Sequence, residues 1–288
     1  MQETGQDITV REMTDSEFFR IGEFIQKQCG IKMPLSKKIM VQGRLHKRLR
    51  MLRLPSFGDY ADYVFSPAGT EEELYHMIDA VTTNKTDFFR ESKHFDFLAA
   101  QVLPHARGDK TRFTARPMQF WSAGCSTGEE PYTLAMVLAE HARTDPSFHF
   151  SILATDISTK VLEQAATAIY PHDKIEPVPM ALRKQYLLKS RNGREVRMAP
   201  ELRACVQFAR LNFMDTRYAL PDTFDVVFCR NVIIYFDRQT QEAILGRICR
   251  HLAPGGYLFM GHSETLNGMN LPLQFVTSSI HRKHHDDA

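Results

Sequence analysis

The chain has 288 residues, of which 43% are hydrophobic, and a formal net charge of +2. It is long enough for one large or two modest domains, no apolar run approaches the ~20 residues of a membrane span, and its polar, acidic N-terminus is unlike a signal peptide. The five cysteines form no C-x-x-C pair, which favours reduced thiols in a cytoplasmic protein over disulfides or zinc ligands.

Helical signals dominate residues 1–90. Thr14-x-x-Glu17 is a capping box that predicts a helix over Phe18–Gln28, and Gly30 is placed to end it. Three further signals predict three more helices: Ser36 as an N-cap, the segment Tyr60–Phe65, and a second capping box at Thr70-x-x-Glu73. We therefore expect a small all-helical domain, with its linker, at the start of the chain.

The second predicted helix has one apolar face and one basic face. The apolar face holds Val41, Leu45, Leu49 and Leu52, and the basic residues Arg44, Lys47, Arg50 and Arg53 cover the rest. No acid occurs between Phe24 and Gly58. This pattern fits a docked helix with a solvated basic face, or a recognition helix for an acidic surface or a phosphate backbone.

The most informative segment begins at Met118. An apolar run, Met118 to Trp121, gives way to the small residues of Ser122–Gly128, and a helix is then predicted to open at Glu129. A strand, a tight glycine turn and a helix N-terminus together bring backbone N–H groups up to a bound cofactor. A second apolar strand ends at Asp156, and an acid at that position often accepts hydrogen bonds from ribose hydroxyls.

The same loop permits a different interpretation. Gly124-Cys125-Ser126-Thr127-Gly128 also fits G-x-S-x-G, the nucleophile elbow of α/β-hydrolases. Asp225 and His262 are the candidate triad partners, but no His-Gly-Gly segment for an oxyanion hole precedes residue 118. A purely structural glycine turn is the third interpretation.

Strands and helices alternate through the rest of the chain. Helices are predicted over Thr159–Ala168 and, after Asp237 as N-cap, over Gln239–His251. Strands are predicted over Cys205–Leu211, Phe224–Cys229, Tyr257–Met260 and Gln274–Ile280. Tyr186–Ser190 and Glu195–Met198 flank an Asn-Gly turn, so residues 186–204 are predicted as a small antiparallel insert. The alternation predicts an α/β fold with a mostly parallel, doubly wound sheet over residues 91–288.

Polar residues follow several predicted strands directly. They are Gly124–Glu129, Asp156, Asn212 and Asn231. Because ligands of open α/β sheets bind at the carboxyl ends of the strands, we expect these residues to share one site.

These motifs together resemble the chemotaxis receptor methyltransferases, which methylate glutamates of bacterial chemoreceptors with S-adenosylmethionine. The resemblance is carried by the segments Asn84–Arg90, Ala123–Tyr132, Ala154–Ser158, Arg230–Phe236 and Leu252–Tyr257. It implies a small helical N-terminal domain and a Rossmann-like methyltransferase domain with an inserted β subdomain.

The resemblance also implies the site residues. The implied cofactor contacts are Asn84, Thr86, Arg90, Gly124, Glu129, Asp156, Asn212, Phe213, Asn231 and Val232. Asp156 suits the ribose hydroxyls, Glu129 the cationic amino group, and Asn212 or a nearby backbone group the adenine. No metal is expected, and S-adenosylhomocysteine is the expected product.

The expected reaction requires positioning more than acid–base catalysis. A glutamate carboxylate is already ionised near neutral pH, since its ordinary pKa is ~4.3. In-line placement and partial desolvation then remain for the enzyme to provide. We expect Arg90 and Tyr235 to position the reacting groups, Arg90 by pairing with the methionine carboxylate of the cofactor or by orienting the incoming glutamate, and Tyr235 as a hydrogen-bond donor.

The expected partners are the cytoplasmic domains of membrane chemoreceptors. The basic helix with Arg44, Lys47, Arg50 and Arg53 is the candidate docking surface, and the insert is a candidate site for a receptor C-terminal peptide by β-augmentation. The alternatives are a nucleic-acid methyltransferase that uses the same basic helix and a non-catalytic protein that senses the cofactor. Arg230-Asn231-Val232-Ile233 stands where base-amine methyltransferases usually carry an Asn/Asp-Pro-Pro-aromatic loop, which argues against that type.

Overall fold

The computed structural model describes residues 10–66, 71–104, 116–220 and 223–285. The chain forms two compact units. One comprises Met1–Thr83 with Tyr235–Asp237, and the other comprises Asn84–Ile234 with Arg238–Ala288. In the described part of the chain, no helix has both the length and the apolar character needed to cross a membrane.

The first unit is helical. It contains α1 (Asp15–Cys29), α2 (Lys38–Leu52), α3 (Phe57–Phe65) and α4 (Glu71–Val81). The predicted capping box is confirmed, because Thr14 accepts a hydrogen bond from the Glu17 N–H and the Glu17 side chain bonds back to Thr14. Gly30 ends α1 in the left-handed conformation, with φ of 71°.

The start of α2 differs from the prediction. A 3₁₀ turn over Leu35–Lys37 precedes it, so Lys37 is the N-cap residue, and the predicted cap, Ser36, lies inside that turn. Pro34 introduces the turn and no side chain caps α2. The predicted capping box at Thr70 lies outside the described residues.

The apolar face of α2 is as predicted. Val41, Leu45 and Leu49 are fully buried and Leu52 is half-buried. They belong to a core shared with the other helices of this unit.

The second unit alternates strands and helices. Its helices are α5 (Lys93–Phe97), α6 (Glu129–Thr144), α7 (Thr159–Thr167), α8 (Met180–Tyr186), α9 (Pro200–Ala204) and α10 (Arg238–His251). Its strands are β1 (Met118–Ala123), β2 (Phe150–Asp156), β3 (Ile169–Pro171), β4 (Leu187–Lys189), β5 (Glu195–Met198), β6 (Val206–Arg210), β7 (Phe224–Cys229), β8 (Leu252–Met260), β9 (Leu273–Thr277) and β10 (Ile280–Lys283).

Seven of these strands form one sheet in the order β6-β2-β1-β7-β8-β10-β9. The first five are parallel to one another, and β10 runs antiparallel to both of its neighbours. The strand order reverses between β1 and β7, which makes the gap beside their carboxyl ends the expected ligand site. The prediction of a doubly wound, mostly parallel sheet is confirmed.

The last strands correct the prediction in two places. Gln274–Ile280 is not one strand, because Ser279 takes the left-handed conformation, with φ of 61°, and reverses the chain between β9 and β10. β8 begins at Leu252 rather than Tyr257, and its pairing with β7 shifts register across Pro254-Gly255-Gly256.

A second, antiparallel sheet has the order β3-β5-β4. The predicted hairpin is present as β4 and β5, joined through a turn in which Gly193 has φ of 70°. A third strand, β3, lies before the predicted range of 186–204, and the last part of that range is the helix α9. β3 was not predicted from the sequence, because it has only three residues and ends in Pro171.

Candidate cofactor and active site

The loop after β1 is shaped by two glycines with positive φ. Gly124 has φ of 87° and Gly128 has φ of 97°, and the Gly124 N–H donates to the Thr155 carbonyl oxygen over 2.8 Å. A Cβ on Gly124 would lie 2.4 Å from Val232 Cγ2. Only glycine therefore permits both this conformation and the close approach of the Val232 loop.

Asp156 connects the end of β2 to that loop. Its carboxylate accepts hydrogen bonds from the Ser126 N–H (2.9 Å) and the Ser158 N–H (3.0 Å). The Ser126 hydroxyl donates to the Asn84 carbonyl oxygen over 2.9 Å. Two predicted cofactor residues, Asp156 and Asn84, are thus joined through one serine.

The same contacts argue against the hydrolase interpretation. The Ser126 hydroxyl is bonded to a backbone carbonyl. Asp225 lies at the amino end of β7, where its carboxylate accepts two hydrogen bonds from Arg116 at 2.8 Å. Ser126 follows the carboxyl end of the parallel strand β1, whereas Asp225 lies at the amino end of β7. The two residues are therefore at opposite ends of the strands, which we call the carboxyl edge and the amino edge of the sheet.

Glu129 begins α6 and is only 2% exposed. The Thr127 hydroxyl donates to its carboxylate over 2.6 Å, and burial raises its pKa above the ordinary value. No basic side chain of the described residues forms an ion pair with it. A buried carboxylate without a cation is suited to receive a cationic ligand group.

The segment around Arg90 has unusual backbone geometry. Phe89 has φ of 53° and Glu91 has φ of 55°, both in the left-handed region. The Arg90 guanidinium donates to the Lys85 carbonyl oxygen over 3.1 Å. Such conformations are costly for residues other than glycine and persist where surrounding contacts enforce them.

Arg230, at the end of β7, supplies much of that enforcement. Its side chain is 2% exposed and pairs with Glu91 at 3.0 Å and with Glu130 of α6 at 3.2 Å. It also donates to the Arg90 carbonyl oxygen. Burial raises the pKa of Glu130, and the charge of Arg230 acts against that rise. Arg230 and Glu130 lie within segments that carry the family resemblance, but neither they nor Glu91, which follows Arg90, were predicted as site residues.

The loop after β7 is held by Glu264, which the sequence did not mark as a site residue. The buried carboxylate of Glu264 accepts hydrogen bonds from the backbone N–H groups of Asn231, Val232, Ile233 and Gly261. Burial raises the pKa of Glu264, and these donors oppose the rise. Glu264 follows β8 in a polar segment, His262-Ser263-Glu264-Thr265, that reads as an ordinary loop.

Asn212 and Phe213 lie after β6, further along the same edge. The Asn212 side-chain oxygen accepts from the Met214 N–H over 3.0 Å. Phe213 is 8% exposed, and its carbonyl oxygen accepts from Arg247 and from the Tyr218 hydroxyl. These hydrogen bonds fix the backbone after β6, and the contact of Asn212 and Phe213 with the cofactor stays a prediction.

Tyr235 belongs to the first compact unit, whereas Arg90 belongs to the second. The Tyr235 carbonyl oxygen accepts from the Lys32 N–H over 3.1 Å, and Lys37 Nζ lies 5.6 Å from the centre of its ring. The predicted role of Tyr235 and Arg90 in positioning the reacting groups stays a prediction.

The four basic residues predicted on α2 are all exposed but not equivalent. The Arg44 guanidinium donates to the Thr82 carbonyl oxygen over 2.7 Å and so caps α4. Lys47, Arg50 and Arg53 make no side-chain ion pair within the described residues. Arg53 ends α2 in the left-handed conformation, with φ of 55°.

Comparisons with known proteins agree with this geometry. The family described as "CheR methyltransferase, SAM binding domain" matches residues 84–282, and "CheR methyltransferase, all-alpha domain" matches residues 16–82. The chain belongs to the CheR methyltransferase family. The boundary between the two matches coincides with the division between the two compact units at Thr83 and Asn84.

Curated relatives of this CheR methyltransferase match over most of their length. The chemotaxis protein methyltransferase of Borreliella burgdorferi is 36% identical over 272 residues, which cover 94% of this chain and 95% of the relative. That of Escherichia coli is 40% identical over 88% of this chain and 86% of the relative. Chemotaxis protein methyltransferase 2 of Pseudomonas aeruginosa is 39% identical over 87% of each.

The CheR residues at the carboxyl edge fit S-adenosylmethionine. Gly124 lets the loop after β7 pack directly on the glycine loop, Asp156 ends β2 as a carboxylate that accepts backbone N–H groups, and Glu129 is a buried carboxylate. An S-adenosylmethionine-dependent methyltransferase is therefore the class to which this chain belongs, and the nucleic-acid alternative is not favoured.

One side-chain cluster in the described residues has the composition of a metal site. Single ligand atoms of Glu91, His94 and His262 lie within 4.8 Å of one another. However, the Glu91 carboxylate is already paired with Arg230, whose positive charge opposes a cation there. Burial, with the charge of Arg230, lowers the pKa of His94 to about 4.

Proposed function

We propose that this CheR methyltransferase transfers the methyl group of S-adenosylmethionine to glutamate carboxylates on the cytoplasmic domains of chemoreceptors. The observation that supports the proposal is that one chain combines two features. Gly124, Glu129 and Asp156 form a candidate cofactor site at the carboxyl edge, and α2 is a basic helix without acidic residues. The proposed location is cytoplasmic, with S-adenosylhomocysteine as product and no metal in the reaction.

Each part of the proposed cofactor site has a distinct role. Asp156 binds the ribose hydroxyls, and Glu129 binds the methionine ammonium, which would give its buried carboxylate the cation that it lacks. Asn212 and Phe213 bind the adenine end, while Asn231 and Val232 close the site from the loop after β7. Asn84, Thr86 and Gly124 contribute backbone groups to the proposed cofactor site and define its shape.

The reaction requires these residues to position and desolvate the acceptor. When bound, S-adenosylmethionine supplies a methyl group on a sulfonium, which departs as a neutral thioether. Arg90 pairs with the methionine carboxylate of the cofactor or orients the incoming glutamate from a distance, and the Tyr235 hydroxyl donates a hydrogen bond to that glutamate. A phenol is suited to this role because a stronger cationic clamp would stabilise the carboxylate and reduce its nucleophilicity.

Two surfaces are proposed for the receptor. Lys47, Arg50 and Arg53, on α2 and at its C-terminal end, dock against acidic receptor helices, since no ion pair in the described residues uses their charges. The small sheet β3-β5-β4 has edge strands on which a receptor C-terminal peptide adds as a further strand.

The decisive experiment incubates the purified protein with methyl-labelled S-adenosylmethionine and receptor-containing membranes, then treats the products with mild base. Glutamate methyl esters release the label as methanol, whereas methylated amines and bases retain it. We expect base-labile label on the receptors, no label on added RNA or DNA, and the same yield in the presence of EDTA.

Three outcomes contradict the proposal. Base-stable label on receptors would contradict carboxylate methylation, and label on nucleic acid would restore the alternative acceptor. Loss of transfer with EDTA, reversed by added Zn²⁺, would contradict the metal-free reaction and direct attention to Glu91, His94 and His262. Glu129→Gln serves as the cofactor-binding control, because its low transfer should recover at high S-adenosylmethionine.

A further inference from the structure

Glu264 connects the carboxyl ends of two neighbouring parallel strands. One oxygen, Oε1, accepts from the Val232 and Ile233 N–H groups at 2.9 Å each. The other, Oε2, accepts from the Asn231 N–H at 2.9 Å and the Gly261 N–H at 2.6 Å. The first three donors follow β7 and the last follows β8, so one carboxylate fixes the separation of the two strand ends.

The loop after β7 has a conformation that requires such support. Asn231 has φ of 58°, in the left-handed region that is uncommon even for asparagine, one of the residues other than glycine that adopt it most readily. Three consecutive N–H groups then converge on the same acceptor. Without that acceptor, these donors would lie unpaired in a site where Glu264 is only 8% exposed.

Gly261 shows how closely the two strand ends approach. A Cβ at this position would lie 2.5 Å from Asn231 Nδ2 and 2.8 Å from the Asn231 backbone nitrogen. Contacts this short leave no space for a side chain. Glu264 and Gly261 therefore form one clamp, in which glycine permits the approach and the carboxylate maintains it.

The clamped loop leads directly to the cofactor residues. Val232 packs so closely on Gly124 that a Cβ there would clash with it. The Asn231 side chain donates to Glu91 Oε1 over 3.3 Å, next to Arg90. A shift of the loop after β7 would thus disturb the glycine loop and the Arg90 segment together.

We propose that Glu264 is a positioning residue for methyl transfer. Its carboxylate holds the backbone of Asn231–Ile233 in place and thereby determines the geometry of the cofactor site. This inference rests on the proposed cofactor contacts of Asn231 and Val232. All four partners of the Glu264 carboxylate are donors, so a carboxylate satisfies them and an amide does not. The substitution Glu264→Gln leaves the shape of the side chain nearly unchanged, but the new NH₂ group would face two backbone N–H donors.

The test compares Glu264→Gln with Glu264→Asp and with Asp225→Asn. Asp225 is also a buried carboxylate, at the other edge of the sheet on β7, and it too accepts a backbone N–H, from Gln119 at 2.9 Å. Calorimetric titration with S-adenosylhomocysteine is performed well below each variant's Tm, beside steady-state kinetics with receptor membranes.

We expect Glu264→Gln to raise the Kd for S-adenosylhomocysteine about tenfold or more, together with the KM for S-adenosylmethionine. The KM for receptor should change little. Glu264→Asp keeps the carboxylate and should recover part of the loss. Asp225→Asn should lower Tm as Glu264→Gln does, but leave the Kd unchanged.

Two results would overturn the inference. One is an unchanged Kd in folded Glu264→Gln, and the other is an equal rise in Asp225→Asn, which would indicate general destabilisation. Asn231→Ala and Val232→Ala separate this failure from that of the proposed site. If they raise the Kd and Glu264→Gln does not, only the positioning role fails; if none of the three does, the assigned contacts fail.

Discussion

The two edges of the seven-stranded sheet use buried charge in different ways. At the amino edge, Asp225 pairs with Arg116 and accepts the Gln119 N–H, and none of the three has left-handed backbone. At the carboxyl edge, Ser126 and Asn231 are left-handed. Three carboxyl-edge carboxylates, on Glu129, Glu130 and Glu264, have a raised pKa because they are buried.

The contrast is sharpest along β7, which contributes to both edges. Its amino end carries Asp225, paired with an arginine that is 35% exposed, and its carboxyl end leads into Arg230, which is 2% exposed. Left-handed backbone and carboxylates with a raised pKa therefore concentrate at the carboxyl edge, where the cofactor is proposed to bind.

The largest expected effect comes from Arg230→Gln. It leaves Glu91 and Glu130 without their cation, and removing one partner of a buried ion pair costs about 3–5 kcal/mol. It also releases the Arg90 carbonyl. We expect the free energy of unfolding, measured by urea denaturation, to fall by that amount and methyl transfer to be lost.

Arg116→Gln is the matched change at the amino edge. Its guanidinium is partly exposed, so we expect a loss of about 1–3 kcal/mol from the unpaired Asp225. Affinity for S-adenosylhomocysteine should stay at the wild-type value. Equal losses of affinity in both variants would remove the functional distinction between the two edges.

Gly124→Ala tests the close approach at the carboxyl edge. The new Cβ would lie 2.4 Å from Val232 Cγ2, so the glycine loop and the Val232 loop must separate. Because a misplacement of about 1 Å can cost roughly 10²-fold in rate, we expect a loss of that order in kcat/KM for S-adenosylmethionine.

Gly268→Ala is the control for backbone strain alone. Gly268 also has a positive φ, of 73°, but the nearest atom to a new Cβ would be at an ordinary 3.7 Å. Both variants pay about 1–2 kcal/mol for the left-handed backbone, and only Gly124→Ala should lose activity. A comparable loss of activity in both would show that backbone strain, not the contact with Val232, is responsible.

The sequence predicted the carboxyl edge because each strand there is an apolar run followed at once by small or polar residues. Gly124–Glu129 and Asp156 were found in this way. The hairpin β9–β10 was not, because Ser278-Ser279 lacks the Gly, Asn or Asp that usually marks a turn. β3 was not predicted because three residues that end in a proline are too few to show the alternation of apolar and polar residues that marks a strand.

The supporting residues of the site were beyond sequence reasoning for a different reason. Arg230 meets Glu91 across 139 positions of the chain, and Glu264 meets Asn231 across 33. Nothing local marks either contact. A buried charge is recognised only when its partner is known, so the residues that hold the cofactor loops emerge from the fold.

Glu129→Gln removes the buried carboxylate proposed to bind the methionine ammonium. We expect the affinity for S-adenosylhomocysteine to fall by about 2 kcal/mol, roughly thirtyfold. Because burial raises the pKa of Glu129, its ionised form is disfavoured in the folded protein. The neutral variant should therefore unfold at an equal or higher Tm.

The pH dependence of binding follows from the same shift. The ammonium needs the carboxylate form, so affinity should fall as the pH is lowered through the raised pKa of Glu129, starting above the ordinary value of ~4.3. Calorimetric titrations from neutral to acidic pH check this. Glu129→Gln should show a flatter profile, and parallel profiles would assign the titration to another group.

The smallest expected effects lie away from the sheet, on α2. Lys47→Ala, Arg50→Ala or Arg53→Ala each removes one exposed charge, worth about 0.2–1 kcal/mol. We expect the KM for receptor to rise about 1.4- to fivefold for each, with kcat and cofactor affinity unchanged. The effect should shrink at high salt, because exposed charges are screened within ~10 Å at 0.1 M.

Substitutions of Arg53 and Arg44 test separately the charge of these residues and their structural roles. Arg53 has left-handed backbone, so Arg53→Gly removes the charge and the strain together and should weaken receptor binding without lowering Tm. Arg44 caps α4 through the Thr82 carbonyl, so Arg44→Ala should lower Tm by its lost hydrogen bond. If Arg53→Gly leaves the receptor KM unchanged at low salt, the charge of α2 at this end plays no part in docking, and its basic face there is simply solvated.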